Sequence, residues 1–202
     1  MSNDLSDSFA ARSLPQRIIS KMMGKSYVEN YNVSLDELSY VTVLHYGFDD
    51  AVHEGELVVH KEVAAEVVEI FRELYEKKFP IEKIRLIDEY DADDDASMGD
   101  NNSSAFCYRE LTGGGDLSEH AYGMAVDINP LYNPYIRRWE DDSLLILPPA
   151  GADYIERDPR RKGTICVGND CYNAFVKRGW EWGGDWKTIS DNHHFQKNHS
   201  TY

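Results

Sequence analysis

Cysteine is scarce in this sequence, and its few copies do not form a recognisable framework. Among 202 residues there are three cysteines and no Cys-x-x-Cys motif. An odd count without paired spacing does not indicate a set of structural disulfides. We therefore expect Cys107, Cys166 and Cys171 to be buried thiols, with a single bridge as the alternative.

Positively charged residues are also few. The chain has 21 lysines and arginines against 36 aspartates and glutamates, which gives a formal net charge of −15. A protein that binds nucleic acid needs a basic face that displaces counterions from phosphates. Docking on anionic lipid also needs positively charged side chains. The sequence thus predicts no nucleic-acid partner and offers no support for a lipid surface.

Long hydrophobic runs are absent. No apolar stretch reaches the roughly 18 residues of a transmembrane helix, so we predict no membrane span. The N-terminus contains no apolar segment of the kind found in signal peptides. The 42% of residues that are apolar suffice for a hydrophobic core, and the chain length favours one domain. We predict an irregular or partly helical arm over residues 1–34 and a single domain over residues 35–202.

Hydrophobic periodicity indicates both strands and helices. Period-two alternation predicts a strand at Ser39–Tyr46, followed by a turn and a second strand at Gly55–Val59. Apolar residues at spacings of three and four predict a helix over Lys61–Phe79, stopped by Pro80. Further strands are predicted at 84–90, 124–128 and 192–196, a short helix at 170–178 and a loop over 137–162. Because strands and helices do not alternate regularly, an α+β fold is expected.

An acidic run at Asp91–Asp95 resembles a calcium-binding loop at first sight. An EF-hand requires glycine at its sixth position and glutamate at its twelfth. Counted from Asp91, these positions hold Ala96 and Asn102. An EF-hand is therefore excluded, and the run is predicted to be a solvated loop.

The stretch Ser118–Asn129, "SEHAYGMAVDIN", carries a histidine and an aspartate seven positions apart. On a strand, alternate side chains face opposite sides, so Asp127 shares its face with the small residues Gly123 and Ala125. Small neighbours leave open space beside the carboxylate, as a metal site with a bound substrate would need. Taken alone, the stretch fits a solvated strand face equally well.

A second polar cluster, "DNHHF" at 191–195, supplies further candidates. A catalytic zinc ion commonly takes three protein ligands and keeps a fourth position for water. His120 and Asp127 are candidates for two of them, and either His193 or His194 for the third.

Catalysis at such a site also needs a proton acceptor and an oxyanion donor. Asp191, three residues before His194, is a carboxylate suited to accept a proton from the water. Arg109, eleven residues before His120, is a candidate to stabilise an oxyanion. Its alternative role is that of a surface arginine paired with the acidic loop.

These motifs resemble a known family. "SEHAYGMAVDIN" is similar to the Ser-x-His-x-x-Gly-x-Ala-x-Asp motif of the zinc D-alanyl-D-alanine carboxypeptidases and L-alanyl-D-glutamate endopeptidases, and "DNHHF" to their (Glu/Asp)-x-x-His-Phe motif. "WGGDW" before the second motif and "NNSSAFCYR" before the first resemble further family segments. The resemblance spans roughly residues 40–197.

The resemblance implies a fold and a set of roles. The fold would be a small, mostly antiparallel sheet flanked by helices, as in hedgehog domains and D,D-peptidases. His120, Asp127 and His194 would bind zinc, Asp191 would be the general base and Arg109 would stabilise the oxyanion. Many members have glutamate at the base position. Aspartate occurs there in the endopeptidase and endolysin branch.

The activity implied is hydrolysis of the stem peptides of peptidoglycan. The bond would be either the D-alanyl-D-alanine bond or the L-alanyl-D-glutamate bond. Because peptidoglycan lies outside the membrane, the resemblance also implies an extracytoplasmic location, in the cell envelope or secreted. The alternative is a zinc-stabilised binding module without turnover, as in hedgehog domains. Asp191 and Arg109 argue against it, because a structural zinc site needs neither.

Overall fold

Short strands and helices follow one another along the chain. The structure is a computed structural model, and it describes residues 8–199. Its elements are β1 Ala10–Ser13, α1 Gln16–Met22, β2 Leu38–Tyr46, β3 Val52–His60, α2 Lys61–Glu76, β4 Lys83–Ile84, α3 Asp94–Gly99, β5 Asn102–Ser103, β6 Ala125–Asp127, β7 Tyr135–Arg138, β8 Leu144–Leu147, α4 Asp170–Val176, β9 Glu181–Trp182, β10 Ile189–Asp191 and β11 His194–Gln196.

The strands form several small sheets. Three antiparallel sheets have the strand orders β1-β2-β3, β10-β7-β8 and β6-β11-β9, and β4 pairs with β5 in parallel. The expected α+β class is confirmed. The antiparallel strands are divided among three sheets instead of one, because the strands after β3 are only two to four residues long and cannot carry a continuous ladder.

Helix α2 covers the first sheet and links it to the strands of the C-terminal half. Its apolar stripe, which includes Val67 and Phe71, is fully buried. The helix ends three residues before the predicted Phe79, because Lys78 adopts a left-handed conformation with a φ of 53°. The same core contains Val126 of β6 and Phe195 of β11, so the polar residues that alternate with them face the other way.

The described part of the N-terminal segment packs on the first sheet. Strand β1 pairs with β2, and Ile18 and Met22 of α1 are buried in a second core cluster with Leu38 and Tyr40. Residues 1–7 lie outside the described part of the chain. The domain boundary predicted at residue 34 stays a prediction.

Two sequence predictions about local structure are wrong. The strand expected at 84–90 pairs only over Lys83–Ile84, and Ile87–Tyr90 forms a 3-10 turn that ends at left-handed Asp91. A short buried apolar run does not reveal its period, which explains the error. The loop expected over 137–162 contains the β7–β8 hairpin, which reverses at left-handed Asp142. The prolines of this segment, Pro148, Pro149 and Pro159, lie after β8.

The three cysteines are free thiols, as expected. Cys107 and Cys171 are buried, and Cys166 is half-buried. Burial raises the pKa of Cys107 to about 12, so this thiol stays protonated and unreactive near neutral pH. None of the described helices has both the length and the apolarity to cross a membrane.

Gly123 allows a sharp junction between the turn that carries His120 and strand β6. It ends the 3-10 helix Glu119–Tyr122 in a left-handed conformation with a φ of 71°, and its carbonyl oxygen accepts a hydrogen bond from the backbone N–H of His60 at 2.8 Å. A Cβ at this position would lie 2.6 Å from the nitrogen of His60 and 3.0 Å from the carbonyl carbon of Val59. The motif glycine is therefore required by both conformation and space.

We expect Gly123→Ala to lower the free energy of unfolding by about 2–4 kcal/mol, because left-handed strain and a clash with β3 add together. The measurement is thermal or urea-induced unfolding. Gly179→Ala is the matched control: this glycine has a φ of 80°, and nothing lies within 4 Å of its Cβ position. It should lose only about 1–2 kcal/mol. Equal losses in the two variants would contradict the role given to close packing.

Candidate metal centre

Three polar side chains from separate segments meet at one end of β6. His120 lies on the 3-10 helix Glu119–Tyr122, whose N-cap Ser118 accepts a hydrogen bond from the backbone N–H of His120. Asp127 is the last residue of β6, and His194 is the first of β11. The antiparallel register places His194 directly opposite Asp127. Directly opposed residues share one face of the sheet, so the two side chains point the same way.

The three side chains are in direct contact. Nε2 of His120 lies 3.0 Å from Oδ2 of Asp127, and Nδ1 of His194 lies 3.0 Å from Oδ1 of the same carboxylate. The two histidine nitrogens are 3.1 Å apart. All three residues are buried, with exposed fractions of 2%, 2% and 6% for His120, Asp127 and His194.

Each histidine is oriented by a second partner on its other ring nitrogen. Nδ1 of His120 contacts the backbone oxygen of Ala105, and Nε2 of His194 lies 2.9 Å from Oε1 of Gln196. A carbonyl oxygen only accepts, so these outer nitrogens carry the protons. With a metal bound, the inner nitrogens would offer their lone pairs to the ion, the arrangement seen around metal-binding histidines.

This arrangement fits a metal ion such as zinc. One ligand atom from each residue can be chosen so that all lie within 4.8 Å of one another. Donors about 2.0–2.1 Å from a tetrahedral zinc ion lie roughly 3.3 Å apart, close to the separations found here. Burial opposes the charge of Asp127, but the neighbouring His120 and His193 hold its pKa well below its ordinary range. The carboxylate is therefore ionised and available as a ligand.

Asp191, the predicted base, ends β10 beside this cluster. Its Oδ1 lies 3.0 Å from Nε2 of His193. The same oxygen is buried and has no partner with hydrogen-bond geometry among the described residues. Asp191 is thus held beside the cluster by its close contact with His193.

Arg109 lines the same cavity as the cluster. Its Nη2 forms an ion pair with Oδ2 of Asp94 at 3.0 Å, and its Nη1 donates to the backbone oxygen of Glu110. Burial works against its charge, but Asp94 and Asp127 raise the pKa of Arg109 above its ordinary value. Its buried Nε has no partner among the described residues. Arg109 is therefore a fixed cation with a remaining donor.

One cavity of about 510 Å³ joins these groups. Its rim includes Trp186, whose ring centroid lies 5.5 Å from that of His194. Every residue predicted from the sequence as a ligand, base or oxyanion donor lines this cavity: Arg109, His120, Asp127, Asp191 and His194. Their individual roles stay predictions.

The small residues of the first motif do not open the cavity, contrary to expectation. Gly123 packs against the backbone of β3, and Ala125 is fully buried. Neither lines the cavity. The side of β6 that they occupy is covered by neighbouring elements, which a strand pattern does not reveal.

Sequence reasoning missed the structural contribution of His193. The metal cluster contains His194 and not His193, but His193 is also buried, with Nδ1 2.8 Å from the backbone oxygen of Asn133. Burial lowers the pKa of His193, whereas Asp191 and Asp127 raise it, to about 9 overall. The pairing of Arg109 with the acidic run, named above as its alternative role, is present: half-buried Arg109 pairs with Asp94 and also lines the cavity.

Comparison with known proteins identifies the C-terminal part of the chain. Residues 112–197 match the family model described as D-alanyl-D-alanine carboxypeptidase. No curated protein and no solved structure matches the chain. The matched segment contains His120, Asp127, Asp191 and His194, whereas Arg109 lies just before it. Residues 112–197 are thus similar to the D-alanyl-D-alanine carboxypeptidase family, whose members are metal-dependent peptidases.

Proposed function

We propose that the protein is a zinc metallopeptidase that hydrolyses the stem peptides of peptidoglycan, with residues 35–202 as the peptidase domain. The observation that carries the proposal is the shared cavity of about 510 Å³. It is lined by a buried His-Asp-His cluster, the carboxylate of Asp191 and the half-buried guanidinium of Arg109. A structural metal site requires only the first of these. The proposed fold is that of D,D-peptidases and hedgehog domains.

His120, Asp127 and His194 would hold the zinc ion. When bound, zinc polarises the scissile carbonyl and lowers the pKa of a water molecule towards neutrality. The protein's own contribution is to fix the ligands: Ala105 and Gln196 orient the two histidine rings, and the β6–β11 register holds Asp127 opposite His194.

Asp191 and Arg109 would complete the reaction. Asp191 would accept a proton from the attacking water and pass it to the departing amine, since its carboxylate lines the same cavity as the cluster. Arg109 stabilises the negative charge that develops on the carbonyl oxygen, because its guanidinium is already oriented before the substrate arrives. His193, 3.0 Å from Asp191, restricts the orientation of that carboxylate.

The proposal leaves two candidate bonds, one in each branch of the family. Aspartate at the base position favours L-alanyl-D-glutamate endopeptidase activity, whereas the complete motif set is shared with D-alanyl-D-alanine carboxypeptidases. Either substrate places the protein outside the cytoplasmic membrane, in the envelope or secreted.

The test is to incubate the zinc-loaded protein with purified muropeptides and to follow the products by mass spectrometry. A carboxypeptidase removes one alanine from a pentapeptide, whereas an endopeptidase releases the peptide after its first residue. Stoichiometric zinc binding without cleavage of any stem peptide would overturn the proposal.

We also expect Asp94→Asn to lower kcat by about tenfold without loss of zinc, because Arg109 loses the ion pair that orients it. Asp95→Asn is the matched control, since Asp95 lies in the same first turn of α3 but is exposed. Both variants remove one charge from the same helix end, so the effect on the helix dipole is equal. The measurements are kcat on a stem peptide and zinc content. Equal kcat in the two variants would exclude a positioning role for Asp94.

A further inference from the structure

One face of the β10-β7-β8 sheet extends the cavity away from the metal cluster. In the antiparallel register Tyr135 is opposite Asp191, and Arg137 is opposite Ile189. On the other side of β7, Tyr135 is opposite Leu147. All five residues line the cavity, as alternation requires of side chains on one face. This face leads from the proposed base to Arg137.

Arg137 is a cation without an ionic partner. It is half-buried, and among residues 8–199 no carboxylate lies within 4.0 Å of it. The chain carries 36 acidic residues and a net charge of −15, so partners are abundant elsewhere on its surface. The adjacent Arg138, on the opposite face, pairs with Asp142 at 3.3 Å. Arg137 therefore presents an unpaired positive charge to the cavity.

Trp139 holds the guanidinium of Arg137 in a defined orientation. The central guanidinium carbon lies 3.9 Å from the centroid of the Trp139 ring, and the tryptophan itself is 44% exposed. Stacking occupies the flat face of a guanidinium and leaves its edge donors free. A fork of parallel N–H donors matches the two oxygens of a carboxylate.

The distance from Asp191 relates Arg137 to the proposed reaction. Tyr135, opposite Asp191, and Arg137, opposite Ile189, are two positions apart on β7. This corresponds to about 7 Å along the strand. An extended peptide in the cavity advances at about the same rate per residue. Arg137 therefore lies within reach of a group one or two residues from the scissile bond.

We propose that Arg137, stacked on Trp139, is a specificity-determining residue that binds a carboxylate of the substrate close to the cleaved bond. The identity of the substrate rests on the proposed function above. In a stem peptide this carboxylate has two sources: the C-terminus of the chain, or the free α-carboxyl group of an internal D-glutamate. Both present the same planar anion to the guanidinium.

The experiment compares matched peptides in the zinc-loaded enzyme. One pair differs only in a free or amidated C-terminus, and the other only in a free or amidated α-carboxyl of D-glutamate. We expect the wild-type protein to prefer one free carboxylate by about 10- to 100-fold in kcat/KM, mainly through KM. In Arg137→Met this preference should disappear, because kcat/KM falls more for the free-carboxylate peptide than for its amidated partner. Arg138→Met, one residue along the same hairpin, should keep the wild-type preference.

The outcomes separate this proposal from the proposed function. Cleavage with the same preference in wild type and Arg137→Met contradicts the role of Arg137 and leaves the peptidase proposal intact. So does an equal loss of activity on free and amidated peptides, which would indicate a structural role. If no peptide is cleaved, the affinity of the same peptides is measured by calorimetry. A preference for a free carboxylate that is lost in Arg137→Met supports the proposed subsite without the peptidase activity. The absence of such a preference contradicts the proposed subsite.

Discussion

Asp191→Asn is expected to lower kcat on a stem peptide by about 10²- to 10⁴-fold while zinc remains bound, because the amide cannot accept the proton of the attacking water. The substitution preserves shape, and the side chain is not part of the His120–Asp127–His194 cluster. The measurements are turnover of a muropeptide by mass spectrometry and zinc content by elemental analysis, made on the same preparation.

Asp158→Asn provides the control for this result. Asp158 pairs with the exposed Arg160 and lies outside the cavity, so the same chemical change should leave kcat unaltered. If Asp191→Asn turned over at the wild-type rate, the proposed base would be wrong. If the protein is a non-catalytic binding module, both the wild type and Asp191→Asn should show negligible turnover.

His194→Ala is expected to abolish stoichiometric zinc binding and, with it, all peptidase activity. Loss of a direct ligand should lower zinc affinity by more than the roughly 100-fold that loss of an outer partner costs. Zinc bound at about 1,000 times its dissociation constant stabilises the wild type by about 4 kcal/mol. For a chain of this size that corresponds to a rise in Tm of about 10 °C, which a chelator should reverse. The variant should show neither the rise nor the response to the chelator.

His193→Ala tests whether the effect belongs to the ligand histidine. Its side chain contacts Asp191 and the backbone of Asn133 but is not in the metal cluster. We expect this variant to keep stoichiometric zinc and the chelator-sensitive Tm. If it lost zinc as fully as His194→Ala, the assignment of the third ligand would be wrong.

The elements that the sequence predicted well are those with a strong period. In strand β2, which forms a hairpin with β3, apolar residues recur at every second position, and in helix α2 they recur at every third or fourth position. Each of these elements is at least nine residues long. The 84–90 segment and the β7–β8 hairpin have shorter patterns, and in them turn geometry at left-handed Asp91 and Asp142 decides the structure. Such local reversals depend on one residue's conformation, which periodicity does not report.

The candidate site was predictable to the extent that its motifs carry their own spacing. His120 and Asp127 came from one short stretch and either His193 or His194 from another, and the family resemblance favoured His194; these residues meet at one cavity. The pairing of Arg109 with the acidic run was foreseen as an alternative, and Asp94 makes it. The contact of Gln196 with His194 was not predictable, because it does not follow from the order of residues in a motif.

The pairing of β6 with β11 determines when the three proposed metal ligands come together during synthesis and folding. Asp127 and His194 are direct cross-strand neighbours, although 67 residues separate them along the chain. During synthesis, a nascent chain that has emerged as far as β6 has His120 and Asp127 but lacks the strand that brings the third proposed ligand. A one-residue slip of β11 would turn His194 to the other face of the sheet. Under the proposed function, the complete ligand set and a closed β6-β11-β9 sheet would therefore form in the same step, and a copy interrupted before residue 194 would lack the third ligand.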